Sequence, residues 1–169
     1  MFDNHTRRNS LRYPGYDYSQ AGAIFITICT HERQHLFGCV RDARMVLSPA
    51  GLRATEHLWH VSERYPGAVV DTFVVMPDHV HAILMLGTDP SIEPDVTVGG
   101  IVRWFKSSLF TDFTIGVRRY EWEPYDGDLW QRIFHDRIIR SDRELQRIRD
   151  YIAANPARWQ LRIDEESSL

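Results

Sequence analysis

Lysine is nearly missing from this chain of 169 residues: Lys106 is its only one, and every other positive side chain is an arginine. Arginine forks suit paired contact with phosphate and stacking on bases, although a GC-rich coding sequence yields the same bias. Cysteine is scarce as well. Cys29 and Cys39 are too few for a disulfide scaffold and stand at no metal-binding spacing, which points to reduced thiols. No run approaches the 18 or so apolar residues of a membrane span, and the opening Met-Phe-Asp-Asn-His-Thr-Arg-Arg holds no apolar signal core. The expectation is a cytoplasmic protein without a membrane partner. An excess of positive charge is also absent. The net charge of -3 gives no global attraction to nucleic acid. Repeats and low-complexity segments are lacking, and an apolar content of 43% argues against disorder and for one domain with a real core.

What is present centres on Val74-Val75-Met76-Pro77-Asp78-His79-Val80-His81-Ala82-Ile83-Leu84-Met85-Leu86. Two apolar, β-branched runs flank a Met-Pro-Asp break, which predicts two buried strands, Val69 to Met76 and His79 to Leu86, joined by a tight turn. Side chains at i and i+2 of a strand share a face. His79 and His81 therefore stand side by side, where two imidazoles can share one divalent cation or be satisfied by ordinary hydrogen bonds.

The remaining elements follow from pattern. Residues 1–22 form a polar, aromatic N-terminal arm. Ala23 to Thr30 alternates and reads as a first strand. His31-Glu32-Arg33-Gln34-His35 matches the H-E-x-x-H pattern of zinc proteases, but that motif works on a helix, and here no helical period surrounds it, so it reads as a loop. Ser48 to Arg64 is helical, with Ser48-Pro49 as cap and first position. Gly87 to Asp95 is a polar loop, Val96 to Phe113 a second helix, Gly116 to Asp128 a loop and Leu129 to Arg140 a fourth strand. Ser141-Asp142-Arg143-Glu144 is a capping box that opens a last helix, with Leu145, Ile148 and Ile152 on one face and its end expected at Asn155-Pro156. This order predicts an α+β fold: a ferredoxin-like split βαβ sheet (βαββαβ) with an additional C-terminal helix. A domain over 23–160 and a C-terminal tail over 161–169 complete the division.

Arg147, Tyr151 and Asn155 recur at intervals of four on that last helix and line one stripe. By spacing alone Tyr151 and Asn155 are equally an ordinary half-buried tyrosine and an asparagine at a helix end. Arg103 and Lys106 neighbour each other on the second helix, as a solvated or a phosphate-contacting face. The C-terminal third is basic, with eight arginines between Trp130 and Arg162, Arg140 and Arg147 among them, against four acids.

Taken together, Val75-Met76-Pro77-Asp78-His79-Val80-His81, Trp130-Gln131 and Arg149-Asp150-Tyr151-Ile152-Ala153-Ala154-Asn155-Pro156 resemble the HUH-type tyrosine transposases of single-stranded insertion sequences. They are especially similar to the REP-associated tyrosine transposases, over roughly residues 20 to 160. The resemblance implies that His79 and His81 bind a divalent metal, Mg²⁺ or Mn²⁺, with Asn155 completing the shell. It implies Tyr151 as the nucleophile and His135 as an auxiliary residue. It further implies single-stranded or hairpin DNA as the partner, with Arg103, Lys106, Arg140 and Arg147 as candidate contacts and Trp104, Trp122 and Trp130 as candidate stacking platforms. Monomer and homodimer both remain open. Two other readings compete: a hairpin-binding module without catalysis, and a metalloprotein in which water attacks in place of Tyr151.

Overall fold

The computed structural model describes residues 22–87 and 96–168. The N-terminal arm up to residue 21 and most of the predicted 87–95 loop lie outside the described residues.

Four antiparallel strands make the sheet: β1 (Gly22–Cys29), β4 (Ala68–Met76), β5 (His79–Leu86) and β6 (His135–Ile139), in the order β4-β5-β1-β6. A two-stranded hairpin, β2 (Gly38–Arg41) and β3 (Arg44–Leu47), and the helices α1 (Pro49–Trp59) and α2 (Val61–Arg64) fill the connection from β1 to β4. Helix α3 (Val98–Arg119) connects β5 to β6, and α4 (Asp142–Ala153) and α5 (Asn155–Ser167) follow. With β2 and β3 set aside as an insertion, this is the expected split βαβ topology, both central strands lying between the ends of crossovers. No helix among the described residues is long and apolar enough to cross a membrane.

The alternation of β1 and β5 divides the core. Ile24, Ile26 and Ile28, with Val80, Ala82, Leu84 and Leu86, bury one face under α1 and α3, where Ala54, Leu58, Phe105, Leu109 and Phe113 meet them. On the opposite face Ile83 and Ile139 pack against Ile148 and Ile152 of α4, flanked by Phe25, Val74 and Leu145. His79 and His81 share the parity of Ile83, so they stand on the α4 face.

Several boundaries differ from the pattern-based expectation. The hairpin β2–β3 was not expected, because its two-residue turn is Asp42-Ala43, both in the left-handed region at φ 50° and 57°, with no glycine or asparagine to signal it. Helix α3 runs on to Arg119, through Gly116. A β-carbon at Gly116 would stand 2.1 Å from the Trp122 ring, so here glycine marks ring-on-backbone packing and no break. The fourth strand is short. Only His135–Ile139 joins the ladder, while Trp130 makes one isolated bridge to Thr30 and Phe134 turns into the core. The last helix does not end the chain's helical structure at Asn155-Pro156. Pro156 occupies the first turn of α5, where its missing N–H costs no hydrogen bond, and α5 extends to Ser167.

Candidate active site

Strand β5 begins with the two histidines right after the Pro77-Asp78 turn, Met76 pairing with His79 across it. Their ring centroids are 4.5 Å apart, inclined at 72°, and both residues are buried, at 5% and 6% exposure. Each ring is held through Nδ1. Asp78 Oδ1 lies 2.5 Å from His79 Nδ1, and Thr27 Oγ1, brought opposite His81 by the β1–β5 register, lies 2.8 Å from His81 Nδ1. With Nδ1 engaged, Nε2 is the nitrogen each ring has left for a ligand.

Asp78 is itself buried and fixed from its other oxygen by Arg33 Nε at 2.8 Å. Burial alone would raise its carboxyl, but the hydrogen bond from His79 and the charges of His79 and Arg33 hold it below the usual range. Arg33 Nη1 also donates to Cys29 Sγ at 2.8 Å. Burial, reinforced by the positive charges of His79 and Arg33, pushes His81 down to about 3, so its imidazole is neutral near pH 7 as a metal ligand must be.

Helices α4 and α5 bring the other half. Tyr151 lies near the end of α4, its ring 5.5 Å from that of His81 and edge-on to Phe25 at 6.2 Å. Asn155, one turn later, is buried, and its amide makes no hydrogen bond among the described residues. From α5, Arg158 lies over the Tyr151 ring at 5.2 Å, Trp159 packs near His79 at 6.0 Å, and Arg162 covers Trp159 at 4.7 Å. Together with Thr27 and Arg33 these residues line a cleft of about 590 Å³. Helix α4 is pinned by a paired contact from Arg149, with Nε at 2.8 Å and Nη2 at 2.5 Å from the carboxylate of Asp71. Asp71 is the extra residue of a bulge in β4, between Val70 and Thr72, which breaks the pairing with β5 at that point.

Four of the expected site residues, His79, His81, Tyr151 and Asn155, thus line one cleft. Arg147 borders Tyr151 on a neighbouring trough. His135 pairs with Thr27 from β6 and is exposed, so Thr27 separates it from His81 in one cross-strand row. Arg140 is exposed ahead of α4, where its N–H donates to Glu144 Oε2 at 3.0 Å. Arg103 and Lys106 lie on α3, which packs on the opposite face of the sheet. Lys106 donates to the Gln131 carbonyl at 2.7 Å, and burial pushes it down to about 8. Trp104, Trp122 and Trp130 all pack against the larger core, so none of them is a free stacking platform. The H-E-x-x-H stretch forms no α-helix: His31–Arg33 make one 3-10 turn with Glu32 and Arg33 both at positive φ, and its two histidines diverge, His35 meeting Trp159 while His31 lies beside Gly127.

The partners Thr27, Asp78, Arg33, Arg158 and Trp159 were not anticipated. Asp78 alone carried a signal, as the acid directly before the first histidine. Among the described residues no three His, Cys, Asp or Glu side chains cluster as a metal site, and Asn155 is the buried amide that lines the cleft beside the two histidines. Two buried imidazoles held at Nδ1 and a buried amide suit a divalent cation with positions left for phosphate oxygens.

No protein-family model matches the chain. An uncharacterised protein of Haemophilus influenzae is 30% identical over 169 residues, covering 90% of each chain. A second protein of that organism, which bears the provisional name REP-associated tyrosine transposase, is 24% identical over 147 residues, covering 84% of this chain and 74% of its own. Among solved structures, a REP-associated tyrosine transposase bound to a REP hairpin superposes with a TM-score of 0.62 at 21% identity, covering 87% of this chain and 73% of the other.

Proposed function

We propose that the chain is a REP-associated tyrosine transposase, a metal-dependent endonuclease and strand transferase for single-stranded hairpin DNA. Tyr151 is its nucleophile, and His79, His81 and Asn155 hold an Mg²⁺ or Mn²⁺ ion. The observation that carries this reading is the convergence of four donors. Two buried imidazoles are tied at Nδ1, and a buried amide and a phenol stand beside them in one arginine-lined cleft. The hairpin held by the solved relative supports the substrate class.

When bound, such an ion polarises the scissile phosphate and offsets charge developing on its oxygens. The chain's own residues do the rest. Arg33, Arg158 and Arg162 line the cleft as phosphate-binding forks. Phe25, His81 and Arg158 hold the Tyr151 ring on three sides, which limits the directions its oxygen can take. The phenol oxygen bonds to phosphorus and its proton passes to solvent. The bond from phosphorus to O3′ breaks, and that oxygen leaves with a proton as a free 3′-hydroxyl. The downstream strand stays on Tyr151 through its 5′-phosphate, and reversal of the same step onto another 3′-hydroxyl joins strands.

The test uses 3′-labelled single strands that copy imperfect palindromes flanking the gene, incubated with Mg²⁺ or Mn²⁺ and run on a denaturing gel. Wild type should carry label on the protein. Tyr151→Phe should carry none and still bind the strand, with stability changed by no more than about 0.5 kcal/mol, since the hydroxyl has no partner among the described residues. Strand breakage without an adduct would assign attack to water, and binding without breakage would leave a hairpin-binding module.

A further inference from the structure

Tyr151 stands between two clefts. One is the histidine cleft; the other, of about 600 Å³, is lined by Phe25, Arg137, Arg147, Ile148, Asp150, Ala154 and by Tyr151 and Arg158, which among the described residues are the two the clefts share. This second trough runs between α4 and the edge strand β6. Phe25 and Arg137 are direct cross-strand partners on its floor. Three guanidinium groups face it against one carboxylate, Asp150, which already accepts a hydrogen bond from Gln146 at 2.9 Å. Arg137 is paired with Glu144 at 2.5 Å, Arg147 adds its charge to those that hold that carboxylate below the usual range, and Arg158 lies over the Tyr151 ring; the guanidinium groups of Arg147 and Arg158 make no hydrogen bond or close ion pair among the described residues. Two guanidinium groups without a close ion pair beside an exposed aromatic ring are what a nucleotide needs: forks for its phosphates and an apolar surface for its base.

We propose that this trough binds the DNA strand on the 3′ side of the break, the strand that remains attached to Tyr151. The inference rests on the proposed role of Tyr151 and adds a polarity to it. Displacement at phosphorus proceeds with attacking and leaving oxygens roughly in line. The leaving O3′ and its upstream strand therefore depart on the side of phosphorus away from the phenol, out through the histidine cleft. The downstream nucleotide stays on phosphorus through O5′, which lies across that axis, and the trough is the surface that begins on the other side of the tyrosine ring. Arg158, common to both clefts, then bridges the scissile phosphate and the first downstream one.

The test separates the strands by the position of their terminal phosphate and needs no cleavage. A 5′-phosphorylated thymidine tetranucleotide mimics the retained strand, and its 3′-phosphorylated counterpart mimics the leaving one. Affinities are measured with Mn²⁺ present, in the wild type and in Arg147→Ala. Loss of one charge-assisted phosphate contact should weaken the 5′-phosphorylated probe about tenfold in Arg147→Ala and lower its salt slope by about 0.7, the value for one contact on a single strand. The 3′-phosphorylated probe should be unaffected. Equal weakening of both probes, weakening of the 3′-phosphorylated one alone, or no binding of the 5′-phosphorylated one overturns the assignment. Because the readout is affinity, failure of Tyr151 as nucleophile would show separately, as a missing covalent adduct in the wild type with these affinities intact.

Discussion

Asp78 does for His79 what Thr27 does for His81, but with a charge in place of a hydroxyl. Both histidines gain a fixed ring, and both bind it to the folded state. The consequence for pH follows from the direction of each shift. Unfolded, His81 takes up a proton near 6.5, while folded it refuses one until about 3. Through that window the unfolded state binds more protons, so stability falls as pH falls. Asp78 is shifted below its ordinary 3.8, so its contribution is present above that value and is lost only as pH drops through the lower folded value. Thermal midpoints should therefore decline between pH 6.5 and 4, before the carboxylate contributes. In His81→Gln this decline should flatten, whatever the variant's absolute stability. A midpoint curve of unchanged slope in that variant would assign the decline to another group. At this scale the site was half legible. A histidine pair on one strand face and a tyrosine with an amide four residues on are visible in a linear pattern, because each pair is close in sequence, the first on β5 and the second across the junction of α4 and α5. Thr27 and Arg33 are not, since only the β1–β5 register and a turn with two left-handed residues bring them to the rings.

Helix α4 carries Tyr151, and its placement depends on two different contacts. Ile148 and Ile152 bury against Ile83 and Ile139, which sets the helix on the sheet without fixing its rotation closely. The fork of Arg149 on Asp71 fixes the rotation, two residues before the tyrosine. The bulge in β4 is what turns Asp71 toward the helix, because the residue it adds has no place in the ladder. Asp71→Ala should leave the apolar contact and the fold in place, yet misalign the phenol. Adduct formation should drop by about tenfold or more, the scale of a misplacement of an ångström or less, with strand affinity and far-ultraviolet circular dichroism near those of the wild type. If strand affinity falls in step with adduct yield, Asp71 serves binding and not alignment. The elements themselves were legible where period and length agreed, as in β4, β5 and the apolar face of α4. They were misread where a residue's usual signal was overridden by packing. Gly116 is helical because only a bare Cα fits beneath Trp122, and beyond the expected end of α4 Pro156 opens a further helix that was not expected. The four-residue strands of β2 and β3, joined through Asp42 and Ala43, offer neither period nor a turn residue.

Across the whole molecule the charge is arranged by face. The net charge of -3 would repel a polyanion at long range, yet Arg33, Arg158 and Arg162 line the histidine cleft and Arg137 and Arg147 the adjoining trough. On the far side of the sheet, under α1 and α3, Arg53 pairs with Glu56 and Asp112, and Lys106 donates to a backbone carbonyl, while Arg103 of α3 is exposed. On the proposed reading the cleft arginines hold the strand, and by few contacts. If all five arginines of that face meet phosphates, the affinity for single strands should fall with salt at a log–log slope near -0.7 per contact, about -3.5 in all. The same face is made of two clefts that meet at Tyr151 and Arg158, and on the proposed reading they take a single strand bent at the break. Titrations between about 50 and 200 mM salt, the range over which such contacts separate clearly, should give that slope for a hairpin with a single-stranded flank. A blunt duplex of equal length should bind more weakly at every salt concentration. A slope near zero would mean that the arginines of the two clefts do not meet phosphate, and equal affinity for the duplex would mean that the clefts are not where the DNA lies.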